Sequence, residues 1–126
     1  MSLPPQFTYA EARELVPQVR EITRQADERV SELRAQAARA APGSRQAHKL
    51  KEWVTAAINR WADDITALGA LPKGLWTVDF DSGEGFYYCW SFDEADLLYY
   101  HPYEEGFVGR KPLTELPGGT PHLLLN

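Results

Sequence analysis

The sequence predicts an α+β fold in which a long antiparallel helical hairpin packs against a three-stranded antiparallel β-meander. Two patterns predict it. Apolar residues recur at steps of three and four through the first half of the chain, whereas the second half contains three short aromatic runs that alternate with polar residues. The 126 residues suffice for one domain with its own core and are too few for two.

The first helix is predicted over residues 8–40. Thr8 and Glu11 have the spacing of a capping box, in which each side chain accepts a hydrogen bond from the other residue's backbone amide. A single apolar stripe follows at Leu15, Val19, Ile22, Ala26, Val30, Leu33 and Ala37. The second helix is predicted over 45–68, between a Ser44 cap and Gly69. Because the link between them is short, the two helices should run antiparallel.

Three strands are predicted at 75–80, 86–92 and 97–101. Pairing Phe80 with Phe86, and Phe92 with Leu97, gives each strand one face that is almost wholly apolar and packs on the hairpin. In this register Asp79 and Cys89 lie on the opposite, mixed face, whereas His101 lies on the apolar face. Residues 74–113 therefore contain the meander and a glycine–arginine loop, and 114–126 form an extended tail.

The acidic and aromatic residues are concentrated in the second half of the chain. Residues 1–70 carry ten basic and nine acidic side chains, whereas 71–126 carry three and nine, together with eleven of the fifteen aromatic residues. Aromatic surfaces that bind single-stranded nucleic acid lie in basic grooves, so this composition argues against nucleic acid as a partner. The sequence also contains no membrane-spanning run and no signal-peptide pattern, so we expect a cytoplasmic protein with no membrane partner.

Few residues in this sequence are candidates for chemistry. The single cysteine excludes an internal disulfide and a cysteine-based zinc cluster, which leaves Cys89 and His101 as the metal-ligand candidates. The predicted register separates these two, so no catalytic residue and no cofactor are predicted. The residues expected to line a ligand site near the end of the third strand are Asp79, Glu94, His101 and Arg110.

The loop after the third strand has two interpretations. Gly106 and Gly109 would permit positive φ angles, and Phe107 would pack under the sheet. Arg110 would pair with an internal carboxylate such as Asp79 or Glu94, or would instead anchor an anionic ligand. The structural interpretation is favoured because this region is so acidic.

Several segments together resemble the small bacterial proteins grouped as domain of unknown function 2203. The resemblance extends to about Leu113 and rests on the motifs Phe7-Thr8-x-x-Glu11-Ala12 with Leu15-x-Pro17, Gly74 with Val78-Asp79-Phe80, Tyr88-Cys89-Trp90 with Glu94, and His101 with the run Gly106-Phe107-Val108-Gly109-Arg110-Lys111-Pro112-Leu113. Tyr100 stands where the family usually has tryptophan. The resemblance implies a bacterial cytoplasmic protein without a named reaction. It marks Trp90, Gly106, Phe107 and Gly109 as structural motif positions, beside the candidate ligands.

The pattern favours a non-enzymatic protein-interaction module. A first helix of about 32 residues spans about 48 Å, whereas a seven-residue strand spans about 23 Å. The sheet cannot cover the whole apolar stripe, so the sequence predicts a homodimer through the helical hairpin, with a further protein partner as a possibility left open. The alternative is a small-molecule or metal-binding protein, or an enzyme, with a site near the end of the third strand.

Overall fold

The computed structural model describes residues 5–116, and the predicted α+β architecture is confirmed. Helices α1 (Tyr9–Arg39) and α2 (Arg45–Ala67) precede a sheet of five antiparallel strands in chain order. The strands are β1 (Leu71–Pro72), β2 (Thr77–Asp81), β3 (Phe86–Ser91), β4 (Tyr99–Pro102) and β5 (Lys111–Pro112). Two short 3-10 turns, Phe107–Gly109 and Leu113–Glu115, flank the last strand. The part of the predicted tail beyond Leu116 lies outside the described residues.

The caps of the hairpin are those that the sequence predicts. The Thr8 hydroxyl accepts a hydrogen bond from the Glu11 amide at 3.1 Å, and the Glu11 carboxylate accepts one from the Thr8 amide at 2.8 Å. The Ser44 hydroxyl accepts the Ala47 amide at 3.1 Å and so begins α2. Local side-chain chemistry therefore sets where both helices begin.

The predicted number of strands is wrong, because the sheet has five. The two additional strands, β1 and β5, lie at its edges and pair through Leu71 with Asp79 and through Tyr99 with Pro112. Each strand has two residues and ends in proline, which cannot donate a ladder hydrogen bond. Such short segments carry no alternation of apolar and polar residues that a sequence pattern could reveal.

The β2–β3 register differs from the prediction by two residues. Phe80 pairs with Tyr88 instead of Phe86. Because side chains alternate with period two, a shift of two residues leaves each side chain on its predicted face. Val78, Phe80, Tyr88 and Trp90 consequently point inward and are buried in the core against the helices.

The β3–β4 register differs by one residue, and this shift reverses the faces of β4. Tyr88 pairs with Tyr100, so Tyr100 points toward the core and His101 points outward, contrary to the prediction. The cause is the seven-residue connection 92–98, which is longer than the predicted four-residue turn. Glu94 closes this connection: its carboxylate accepts the Ser91 amide and its carbonyl accepts the Trp90 indole N–H, both at 2.9 Å.

The sheet covers only part of the hairpin. Its core contacts are with the first half of α1 and the second half of α2, through Tyr9, Ala12, Val16, Val19, Trp61 and Ile65. Farther along the hairpin, Val30, Leu33 and Leu50 are buried without belonging to the core cluster under the sheet. Neither helix within residues 5–116 combines the length and hydrophobicity needed to cross a membrane.

Candidate metal centre on the outer sheet face

Three potential metal ligands meet on the face of the sheet that points away from the helices. Asp79 of β2 is the cross-strand partner of Cys89 of β3, and His101 of β4 lies diagonally across from Cys89. Their ligand atoms all lie within 4.8 Å of one another. The exposed fractions of Asp79, Cys89 and His101 are 1%, 0% and 3%. The prediction that Cys89 and His101 point to opposite faces is therefore wrong.

The His101 imidazole lies between two hydrogen-bond acceptors. Nδ1 is 3.0 Å from the Pro102 carbonyl oxygen, and Nε2 is 3.0 Å from Oδ2 of Asp79. A carbonyl oxygen only accepts hydrogen bonds, so Nδ1 carries a hydrogen. An ionised carboxylate also only accepts, so either a proton or a cation must lie between Nε2 and Oδ2. This buried pair is therefore suited to exchange a proton for a metal ion.

The second oxygen of the same carboxylate has no hydrogen-bond donor. Oδ1 of Asp79 is buried, and within residues 5–116 no hydrogen bond reaches it. A buried acceptor without a partner costs about 1–3 kcal/mol of folding free energy. A cation or a hydrogen-bond donor bound at this face would supply the missing interaction and remove that cost.

The Cys89 thiol is not a free nucleophile. Burial raises its pKa to about 12, the Asp79 carboxylate contributes in the same direction, and Arg110 acts in the opposite one. At neutral pH the sulfur is consequently protonated, whereas nucleophilic catalysis requires a thiolate. A buried cysteine at this position is better suited to coordinating a metal ion, because the ion displaces the thiol proton and binds the thiolate.

Arg110 holds the main chain next to the candidate metal centre. Its Nη2 donates to a Glu94 carboxylate oxygen at 2.6 Å and to the Cys89 carbonyl oxygen at 3.2 Å. The guanidinium carbon lies 4.2 Å from the Tyr99 ring centroid and 4.5 Å from that of Phe107. The predicted pairing of Arg110 with an internal carboxylate is confirmed, and of the two acids named, Asp79 and Glu94, the partner is Glu94. The four predicted ligand-site residues thus form two separate pairs, Asp79 with His101 and Glu94 with Arg110.

The predicted roles of the loop glycines are wrong in detail. Gly106 has a φ of −98°, and Gly109 is not among the glycines with positive φ in the described chain. Gly109 is required for a different reason, because a Cβ there would collide with Glu105. Phe107 is 51% exposed and stacks on Arg110, so it does not pack under the sheet. Trp90, by contrast, is fully buried in the core.

A pocket of about 470 Å³ opens above the Asp79–His101 pair. Grooves of about 330 and 430 Å³ lie elsewhere on the molecule, so the buried Asp79 and His101 in its lining, and not its volume, distinguish this pocket. Besides the pair, its lining consists of Lys73, Gly74, Thr77, Tyr87, Tyr103, Glu104, Glu105, Gly106 and Phe107. Sequence analysis missed most of these residues, since Lys73 and the residues from 103 onward reach the pocket from loops without a periodic pattern. Alternation did correctly place Thr77, Asp79, Tyr87 and Cys89 on one face.

Comparison with known proteins identifies one related group. Residues 6–113 match the profile of a family described as "Uncharacterized conserved protein (DUF2203)". Neither the curated proteins nor the solved structures contain a significant match to this chain. The matched range includes every residue of the Asp79, Cys89 and His101 cluster and every residue that lines the pocket.

Proposed function

The chain belongs to the DUF2203 family of uncharacterized conserved proteins, and we propose, from the geometry of its outer sheet face, that it binds a divalent transition-metal ion. The ligands are Asp79, Cys89 and His101, which together we call the metal triad. The observation that carries the proposal is the convergence of these three buried ligand atoms within 4.8 Å. The unpartnered Asp79 oxygen gives it independent support.

The ligand chemistry is that of zinc. A thiolate sulfur, an imidazole nitrogen and a carboxylate oxygen are all common zinc ligands, with bonds of about 2.0–2.3 Å. In a tetrahedral site such bonds place the ligand atoms about 3.3–3.6 Å apart. The metal triad is already near this arrangement, so side-chain movements of about an ångström would complete three of the four positions. Calcium and magnesium, which prefer oxygen ligands, fit this set less well.

The surroundings of the metal triad resemble those of known metal sites. A metal-binding histidine usually donates its other ring N–H to a carbonyl or carboxylate, which fixes the tautomer and the ring orientation. His101 makes this contact through Nδ1 to the Pro102 carbonyl. The Cys89 main chain is held in turn by the Arg110 hydrogen bond to its carbonyl. Both contacts prepare the ligands before an ion arrives.

We expect the purified protein to retain about one equivalent of zinc, measured by native mass spectrometry and elemental analysis, and to lose it to a chelator. Cys89→Ala and His101→Ala should each weaken zinc binding by more than the roughly 10- to 100-fold typical of residues that support metal ligands, because each removes a ligand atom, and Asp79→Asn should weaken it by removing the carboxylate charge. Cys89→Ser should also weaken binding, since a hydroxyl is a poor substitute for a thiolate ligand.

The matched control is His48→Ala. His48 also lies beside a carboxylate, that of Glu52, but its side chain is 77% exposed on α2. The His48→Ala protein should bind zinc like the wild-type protein. Wild-type protein that takes up no stoichiometric zinc or cobalt under reducing conditions would refute the metal proposal.

A second candidate function is homodimerisation through the hairpin. A groove of about 330 Å³ between the helices has an apolar floor of Ile22, Ala26, Ala57 and the buried Trp61. Its other lining residues are Gln25, Arg29, Arg60 and Asp64. Trp53, which is 46% exposed, precedes Ala57 by one helical turn and continues the same apolar line. This surface supports an isologous contact between two hairpins, as the sequence predicts, with Trp53 of each copy near the groove of the other.

Trp53→Glu tests the dimer proposal. Placing a carboxylate in the apolar contact should convert a dimer into a monomer, as measured by sedimentation equilibrium across a range of concentrations. Thr55→Glu adds the same charge at an exposed position of α2 outside the groove and should leave the mass unchanged. A wild-type mass that stays monomeric at every concentration would exclude the dimer.

A further inference from the structure

We infer that the ion held by the metal triad has an exchangeable position facing the pocket, and that the pocket brings to it a small ligand with an oxygen anion and an amine, as in an amino acid. This inference rests on the proposed metal site and deepens it. It concerns which molecule binds above the ion.

We infer the exchangeable coordination position from the fact that two of the three ligands line the pocket. Asp79 and His101 both contribute to its lining, whereas Cys89 lies beneath them and does not. An ion held by all three would therefore border the pocket through its Asp79 and His101 ligands, and a fourth ligand could reach it from the pocket. Zinc sites with three protein ligands and an open fourth position are typical of catalytic centres, whereas structural sites are closed by four protein ligands.

The charges of the lining indicate the class of ligand. Once the metal triad has bound an ion, Asp79 is neutralised, and among residues 5–116 the remaining charged side chains in the lining are those of Lys73, Glu104 and Glu105. The two carboxylates exceed the single ammonium group, so the pocket favours a ligand that carries a cation as well as an oxygen donor for the metal. The Tyr87 ring already has the Lys73 ammonium 5.8 Å from its centroid, whereas Tyr103, which is 41% exposed, adds a ring on which a ligand amine can bind.

Two glycines allow the pocket to be filled without disturbing the fold. Gly74 and Gly106 line it, and a Cβ built at either position meets no atom of the described residues within 4 Å. Neither has a positive φ, so a larger residue is compatible with the backbone. Val108, in the same loop as Gly106, is 100% exposed and lies outside the lining, which makes it the matched control position.

The experiment uses the cobalt-loaded full chain, because cobalt reports its coordination through visible absorption. Cobalt uptake by the wild-type protein is measured first, and its absence would mean that the proposed metal site itself fails. Alanine hydroxamate is then titrated in. We expect a saturable change in the cobalt spectrum, weakened by about tenfold or more in Gly106→Phe and in Gly74→Phe. Val108→Phe should bind the probe like the wild-type protein.

The amine is tested with propionohydroxamate, which differs from alanine hydroxamate by lacking that group. We expect it to bind more weakly, and we expect Glu104→Gln combined with Glu105→Gln to reduce the difference between the two probes. If neither hydroxamate changed the cobalt spectrum, the ion would have no exchangeable coordination position, and the inference would be overturned. If Gly106→Phe and Gly74→Phe bound alanine hydroxamate as tightly as the wild-type protein does, the inference that the ligand reaches the ion through the pocket would be overturned. Equal affinity for both probes would overturn the ligand class.

Discussion

His101→Ala should lower the free energy of unfolding by about 3–5 kcal/mol, because it leaves the buried Asp79 carboxylate without its partner. Counted on side-chain atoms alone, His101 is 4% and Asp79 is 2% exposed, so both are almost completely buried. The measurement is denaturant unfolding in the presence of a chelator, so that only the protein's own interactions contribute. A difference of this size would be among the largest that a single substitution produces in a domain of this length.

The control for this prediction is His48→Ala. The contact that it removes, between His48 and Glu52, is exposed and should contribute nothing measurable to stability. The double variant Asp79→Ala/His101→Ala separates the interaction energy of the pair from the energy lost when each side chain's packing is removed. It should be less destabilised than the two single variants together, because no unpaired carboxylate remains. Strict additivity of the two substitutions would contradict a buried, coupled pair.

Arg110→Ala should cost about 3 kcal/mol of unfolding free energy, since it leaves the largely buried Glu94 carboxylate without a countercharge, with the Ser91 amide as its remaining hydrogen-bond donor. The Arg110 and Glu94 side chains are each 13% exposed, and their contact is 2.6 Å long. Arg110→Lys should recover only part of the loss, because an ammonium group keeps the charge but does not stack as a planar group between the Tyr99 and Phe107 rings. Denaturant unfolding measures both variants.

Arg24→Ala is the matched control for Arg110. Arg24 contacts Glu21 and Glu28 on the surface of α1, and about half of its side chain is exposed. Water and salt screen such pairs, so this substitution should leave the unfolding midpoint unchanged. If Arg110→Ala were as harmless as Arg24→Ala, the loop after β4 would not be held to the sheet by this ion pair.

The sequence predicts the helices well because their signals are local. Thr8 with Glu11 and Ser44 act on amides three residues away, and the apolar period of each helix is visible without knowledge of its partner. The core face of β2 and β3 is predicted for the same reason, since alternation survives a register error of two residues. The pairing of Arg110 with an internal acid also follows from charge, because so few basic residues follow Lys73.

The metal triad could not be predicted in this way. Whether His101 joins Asp79 and Cys89 depends on whether the β3–β4 connection is closed by four residues or by seven. That choice is made by contacts that no periodic pattern encodes, namely the Glu94 hydrogen bonds to Ser91 and Trp90 and the burial of Leu97 in the core. A shift of one residue moves a histidine to the other side of the sheet.

The sequence by itself thus determines the architecture, the helix boundaries, the inner face of β2 and β3 and the family. The tertiary structure alone decides the short edge strands, the orientation of β4 and the pocket above the candidate metal site. The physical reason is that helix caps and hydrophobic periods act within a few residues, whereas strand register is fixed by the packing of distant side chains. The candidate site depends on that register, because its three ligands come from three different strands.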